Sequence, residues 1–146
     1  MKKYIKLGLL VIWLGVIYYF SSQDSVTSSN LSNGLLSSIG TFFSVEDLVN
    51  FIDKYQVLIR KLAHFSEFFI LGILMYISLK EYTSQEVFSV ALILCIIYAA
   101  VDETHQLFVS GRAFMVTDIL IDSFGALIGC LLSCLINKYV TKRKSA

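Results

Sequence analysis

Between Tyr98 and Asp122 the chain reads YAAVDETHQLFVSGRAFMVTDILID, a stretch that carries Asp102, Glu103, His105, Gln106, Arg112, Asp118 and Asp122. A second polar group stands earlier, in RKLAHFSEF, where Arg60, His64 and Glu67 fall at i, i+4 and i+7 and so project from one face of a helix. Lys61 lies about 100° around that helix, free to snorkel toward an interface. These residue types suit one kind of chemistry well. Arg60, Lys61 and Arg112 are equipped to hold a phosphate, Arg112 as a bidentate fork. Histidine is the side chain suited to acid or base work near neutral pH, so His105 or His64 is expected to serve there, oriented by Glu103 or Glu67. No serine or cysteine sits in an evident nucleophile elbow, which argues against a hydrolase triad.

The surroundings make these groups conspicuous. Of the 146 residues 56% are hydrophobic and only 16% charged, with a mean hydropathy of +0.72. A chain of this size with so little polar surface reads as a membrane protein of one domain. The net charge of +1 gives no footprint for nucleic acid. Lys2, Lys3 and Lys6 precede the first apolar run, and Lys138, Lys142, Arg143 and Lys144 follow the last. Basic flanks prefer the cytoplasm, so both termini are expected there and the number of spans is even. Cys95, Cys130 and Cys134 lie inside apolar runs and read as packing residues rather than a disulfide framework.

Four spans are expected, at about 4–21, 57–79, 86–101 and 114–136, in an all-α polytopic fold forming one domain over 1–146. The first resembles a signal peptide in its basic start. No A-x-A site follows it, however, and it ends in Tyr18-Tyr19-Phe20, an interfacial belt, so it is read as retained. Ser21 to Asn33 has a linker composition. Leu31, Leu35, Leu36, Ile39, Phe42 and Phe43 then recur at helical spacing, and Ser44 with Asp47 forms a capping box before Val45–Tyr55. One or two short amphipathic helices on the extracellular surface are therefore expected. Lys80-Glu81 marks the turn into the third span, which Ser84 is expected to cap. Gly111 suits the turn before the fourth. On the fourth span Asp118, Asp122, Gly125 (or Ala126), Gly129 and Ser133 make one stripe, acidic at one end and small at the other. Antiparallel threading brings the polar parts of spans two, three and four to one depth, facing outward.

With these residues in view, the chain resembles the VanZ-like family, small integral membrane proteins named for a teicoplanin-resistance factor. The resemblance is carried by Arg60 to Phe68, by DETHQLFVSGR from Asp102 to Arg112, and by Asp118-x-x-x-Asp122 leading to Gly125-Ala126-Leu127-Ile128-Gly129. Ser21-Ser22-Gln23 fits the family's S-x-Q after the first span, while Ser110 replaces the usual proline of V-P-G-R. The resemblance implies a four-span protein linked to lower sensitivity to lipoglycopeptides, and no established reaction. It marks Gln23, Arg60, Lys61, His64, Glu67, Asp102, Glu103, His105, Gln106, Arg112, Asp118 and Asp122 as signature positions without assigned roles.

The resulting expectation is an envelope factor whose outward-facing polar cavity recognises an anionic lipid headgroup, a lipid-linked envelope precursor or the lipoglycopeptide itself. Glu67, Glu103, His105, Asp118 and Asp122 are the expected catalytic set, should it also do chemistry. Gln23, Arg60, Lys61, His64, Asp102, Gln106 and Arg112 are the expected binding set. A non-catalytic shielding protein and a structural ion-pair network stay open beside it. A divalent metal is a further option, since Glu67, His64, Glu103, His105, Asp118 and Asp122 supply oxygen and imidazole donors, although no HExxH-type pattern accompanies them. A transporter is disfavoured by the near absence of polar groups from the other half of every span.

Overall fold

Apolar runs of this length leave helices as the natural solution, because each backbone N–H and C=O is then paired within its own segment. The computed structural model describes residues 2–23, 45–83 and 85–144, and among these the only regular elements are four helices. They are α1 (Lys2–Ser21), α2 (Val45–Lys80), α3 (Phe88–Gln106) and α4 (Val116–Lys144). Each contains a segment long and apolar enough to cross a membrane: Lys3–Ser21, Leu58–Lys80, Phe88–Gln106 and Val116–Arg143.

Two local expectations change. Val45–Tyr55 is not a separate short helix but the opening of α2, which runs unbroken for 36 residues. At 1.5 Å per residue it is about 54 Å long, well beyond a hydrocarbon thickness of about 30 Å. The physical reason is plain in the sequence, since KYQVLIRK offers neither glycine nor proline to end the helix before the apolar run begins. The third helix opens at Phe88 with Val87 at its N-cap and no side-chain cap bond. Ser84 and Ser44, expected as caps, and the amphipathic stretch expected over 31–43 lie outside the described residues.

The helices alternate in direction, so α2 and α4 run parallel to each other and antiparallel to α1 and α3. The most intimate contact is between α2 and α4. A Cβ built on Gly129 would meet the Phe69 carbonyl oxygen, one on Gly125 the Phe65 carbonyl, and one on Gly72 the Ala126 carbonyl. Glycine at these three places is what lets the two backbones touch. Cys130 Sγ donates to the Gly72 carbonyl at 3.3 Å along the same seam. The core is completed by Phe68, Leu71, Met75, Tyr76, Ala91, Cys95 and Ala99, and all three cysteines are buried free thiols.

α1 buries Leu10 and Ile17 in the core and is tied to its neighbours by a few side-chain bonds. Trp13 Nε1 donates to the Glu67 carbonyl at 2.9 Å, and Tyr98 Oη donates to the Leu14 carbonyl at 2.8 Å. Lys6 pairs with Glu81, and Ser78 Oγ donates to the Lys6 carbonyl at 3.3 Å. These bonds fix the register of α1 from one end of the bundle to the other. One end therefore carries Lys6, Glu81 and the basic tail of α4. The opposite end carries the polar residues singled out in the sequence.

Candidate functional site

The site grows from four separate pieces of chain. On α2, Arg60 and Lys61 are half-buried, His64 is buried one turn further in, and Glu67 is half-buried another turn on. On α3, Asp102, Glu103 and Gln106 are buried and His105 half-buried. On α4, Asp118 and Asp122 are buried one turn apart. The connection between α3 and α4 supplies Arg112. Its shape follows from its sequence: the Arg112 N–H bonds the Val109 carbonyl at 3.2 Å, and Gly111 sits between them at φ 75°. That is the positive φ which the third position of a type II turn requires. Ser110 occupies the second position, where proline is the common resident, and the turn closes without it.

The structure brings most of the expected residues together. Lys61 Nζ donates to Asp118 Oδ1 at 3.0 Å. His64 Nδ1 lies 3.9 Å from Asp122 Oδ1, close but beyond a hydrogen bond. His64, Asp102 and Asp122 each offer one potential ligand atom, and these atoms all lie within 4.8 Å of one another. Asp122 lies in the field of four other carboxylates, those of Asp102, Asp118, Glu103 and Glu67. Arg112 faces Arg60, Asp102, Glu103 and Glu67. Burial first, and then Arg60, press the Arg112 pKa below its ordinary value, while the three carboxylates act in the other direction. The guanidinium stays charged throughout.

Three residues do something other than sequence reading expects. Gln23 offers its backbone: its carbonyl accepts from Arg112 Nε at 3.1 Å, while its side-chain Nε2 turns back to the Tyr19 carbonyl at 3.2 Å. His105 turns toward α1, its ring centroid 4.8 Å from that of Tyr18. Glu103 divides its carboxylate. Oε1 accepts the Met115 N–H at 2.6 Å, tying α3 to the start of α4, and Oε2 is buried without a partner. Glu103→Gln keeps an acceptor for Met115, so its thermal unfolding in detergent is expected to match wild type within about 1 kcal/mol. Glu103→Ala removes a charge-assisted bond and is expected to cost about 1.5–3 kcal/mol in the same measurement. Equal stabilities for the two variants would show that the tie to Met115 carries no weight.

Ser21 belongs to the site and is passed over by a reading that takes only Gln23 from Ser21-Ser22-Gln23. It is 2% exposed, and its hydroxyl is buried close to the Asp102 carboxylate. Its position as the last residue of α1, before the chain leaves the helix, is the signal that could have marked it.

The charges of the cluster do not cancel one another in pairs. Among the described residues, Lys61–Asp118 is its one contact between a lysine or arginine and a carboxylate. Buried atoms of Asp102, Glu103, Asp122, His64, His105 and Gln106 lack hydrogen-bond partners. Native interiors rarely leave such groups unsatisfied, and exceptions concentrate where something else binds or reacts.

Fold and site together define a helical membrane protein of four spans with a polar cluster at one end of the bundle. Residues 6–137 match the model of the VanZ/LLP1 family, and the chain belongs to that family. No curated protein and no solved structure matches the chain.

Proposed function

We propose that this VanZ-family protein binds an anionic lipid headgroup, free or carried by an envelope precursor, at the outer leaflet, and thereby lowers sensitivity to lipoglycopeptides such as teicoplanin. On this reading both termini are cytoplasmic, since Lys3, Lys6, Lys138, Lys142 and Arg143 all gather at the end of the bundle away from the site. The observation that carries the reading is the state of Arg60 and Arg112. Both lie at the polar end, half-buried, and among the described residues neither has a carboxylate oxygen within ion-pair distance. Half-buried guanidinium groups with no carboxylate in direct contact are fitted to receive an anion from a ligand, and phosphate matches their geometry. A purely structural network would instead be expected to close its pairs, because an unpaired buried charge is costly.

The buried acids beneath the arginines, with His64 and His105, would supply proton transfer if the headgroup is also modified. The test is mass spectrometry of lipids held by, and incubated with, the purified protein in nanodiscs containing phosphatidylglycerol and a polyprenyl phosphate. Wild type is expected to retain anionic lipid, and Arg112→Gln is expected to lose at least about tenfold of that retention, in line with a lost charged interaction. A new product formed by wild type alone would make the protein an enzyme and identify the bond it works on. Identical lipid profiles for the two proteins would end the headgroup reading.

A further inference from the structure

We propose that His64, Asp102 and Asp122 form a divalent-cation site, of the kind occupied by Mn²⁺ or Zn²⁺, at the junction of α2, α3 and α4. One imidazole nitrogen and one carboxylate oxygen from each aspartate lie within 4.8 Å of one another. Bonds of about 2.0–2.2 Å to a shared ion place neighbouring donors about 3–4 Å apart, and the His64 Nδ1 to Asp122 Oδ1 separation is already 3.9 Å. The Asp102 oxygen lies within 4.8 Å of both.

The second observation is that these donors are buried and unused. His64 is 8% exposed, Asp102 4% and Asp122 1%. His64 Nδ1, Asp102 Oδ2 and both oxygens of Asp122 have no hydrogen-bond partner. The basic side chains around them make their bonds elsewhere, Lys61 on Asp118 and Arg112 Nε on the Gln23 carbonyl, while the charge of Arg112 still faces Asp102 and His64. No lysine or arginine nitrogen among the described residues comes within ion-pair distance of Asp102 or Asp122. Binding an ion would draw one carboxylate charge each from Asp102 and Asp122, two in all. A dication balances them. The imidazole favours a transition-metal ion over Ca²⁺ or Mg²⁺, which take oxygen donors. This inference is independent of the lipid reading, because it stands or falls on metal binding alone.

The experiment uses the full chain, purified in detergent, stripped with EDTA and titrated with MnCl₂ by calorimetry and electron paramagnetic resonance. One Mn²⁺ is expected to bind per chain, displaceable by ZnCl₂, with nitrogen hyperfine coupling from the His64 imidazole. Asp102→Asn and Asp122→Asn are each expected to weaken binding by at least about tenfold, and His64→Gln to remove the nitrogen coupling. Glu81→Gln, at the other end of the bundle, is expected to bind as wild type does. Absence of saturable Mn²⁺ binding would overturn the proposal, as would unchanged affinity in both aspartate variants. The nitrogen signal is read on wild-type protein, so its absence from bound Mn²⁺ rejects the site even if the variants fail to fold.

Discussion

Asp122→Asn is expected to abolish function while leaving the folded protein as stable as wild type, or more so. Asparagine has the shape of aspartate, so the packing of α4 against α2 and α3 is preserved. What disappears is the capacity to hold a negative charge on a buried group that lies in the field of four other carboxylates and makes no hydrogen bond with either oxygen. Removing a charge from such company relieves repulsion. Were Asp122 instead a structural partner of a protonated His64, breaking the pair would cost about 3–5 kcal/mol, the usual result of leaving a buried charge uncompensated. The sign of the stability change therefore separates a functional from a structural role. It is read by thermal unfolding in detergent with EDTA present, beside lipid retention and teicoplanin susceptibility of cells expressing each protein. If the site performs catalysis, the rate falls by orders of magnitude; if it only binds, affinity falls in step with the ligand interactions that the substitution removes. Full function in Asp122→Asn at matched expression would remove Asp122 from the site.

Gly129→Val is expected to have the largest effect on folding. The Cβ it introduces lands on the Phe69 carbonyl oxygen and close to the Ile73 N–H, backbone atoms of a helix that cannot rotate aside. α2 and α4 must separate, and the close approach at Gly72 and Gly125 opens with them. Overpacking in a rigid seam costs about 1–3 kcal/mol when side chains can yield, and here the obstruction is main chain, so the loss is expected at or above the top of that range. Gly15 provides the comparison, since a Cβ there meets nothing within 4 Å. Gly15→Ala is expected to be neutral or to stabilise by up to about 1 kcal/mol, the difference in helix propensity. Unfolding in detergent followed by circular dichroism measures both. A Gly129→Val protein as stable as wild type would mean that the close crossing is not maintained.

Much of this arrangement is legible in the sequence because a membrane makes polar residues informative. Arg60, His64 and Glu67 at helical spacing, and Asp118 and Asp122 one turn apart, identify faces without any knowledge of neighbours. Gly125 and Gly129 continue the same stripe, so close packing is legible too, but its partner is not. Gly72 sits alone on α2, and nothing local distinguishes it from Gly8 or Gly15, which face open space. The division of labour within Glu103 is hidden for a related reason. Its Oε1 partner is a backbone N–H twelve residues away, and every residue except proline carries one. Gln23 is the converse case, a motif glutamine that meets Arg112 through its carbonyl, which any residue at that position would provide. The continuity of α2 escapes because a capping box and a change of composition both mark starts, and neither shows whether a preceding helix ends.

The parallel pairing of α2 with α4 also sets the order in which the protein can be made. Domains and segments emerge from the ribosome N-terminal part first, so α2 enters the bilayer while α4 is still unsynthesised. During that interval Arg60, Lys61, His64 and Glu67 have neither Asp118 nor Asp122 to face, and the glycine seam has no second surface. An ionisable group stranded at the centre of a span costs about 2.5–3.5 kcal/mol on insertion scales, and less toward its end. The nascent second span is therefore the least comfortable part of the chain until the last one arrives to cover it. Biogenesis and site assembly become the same event, completed only when the final helix is threaded.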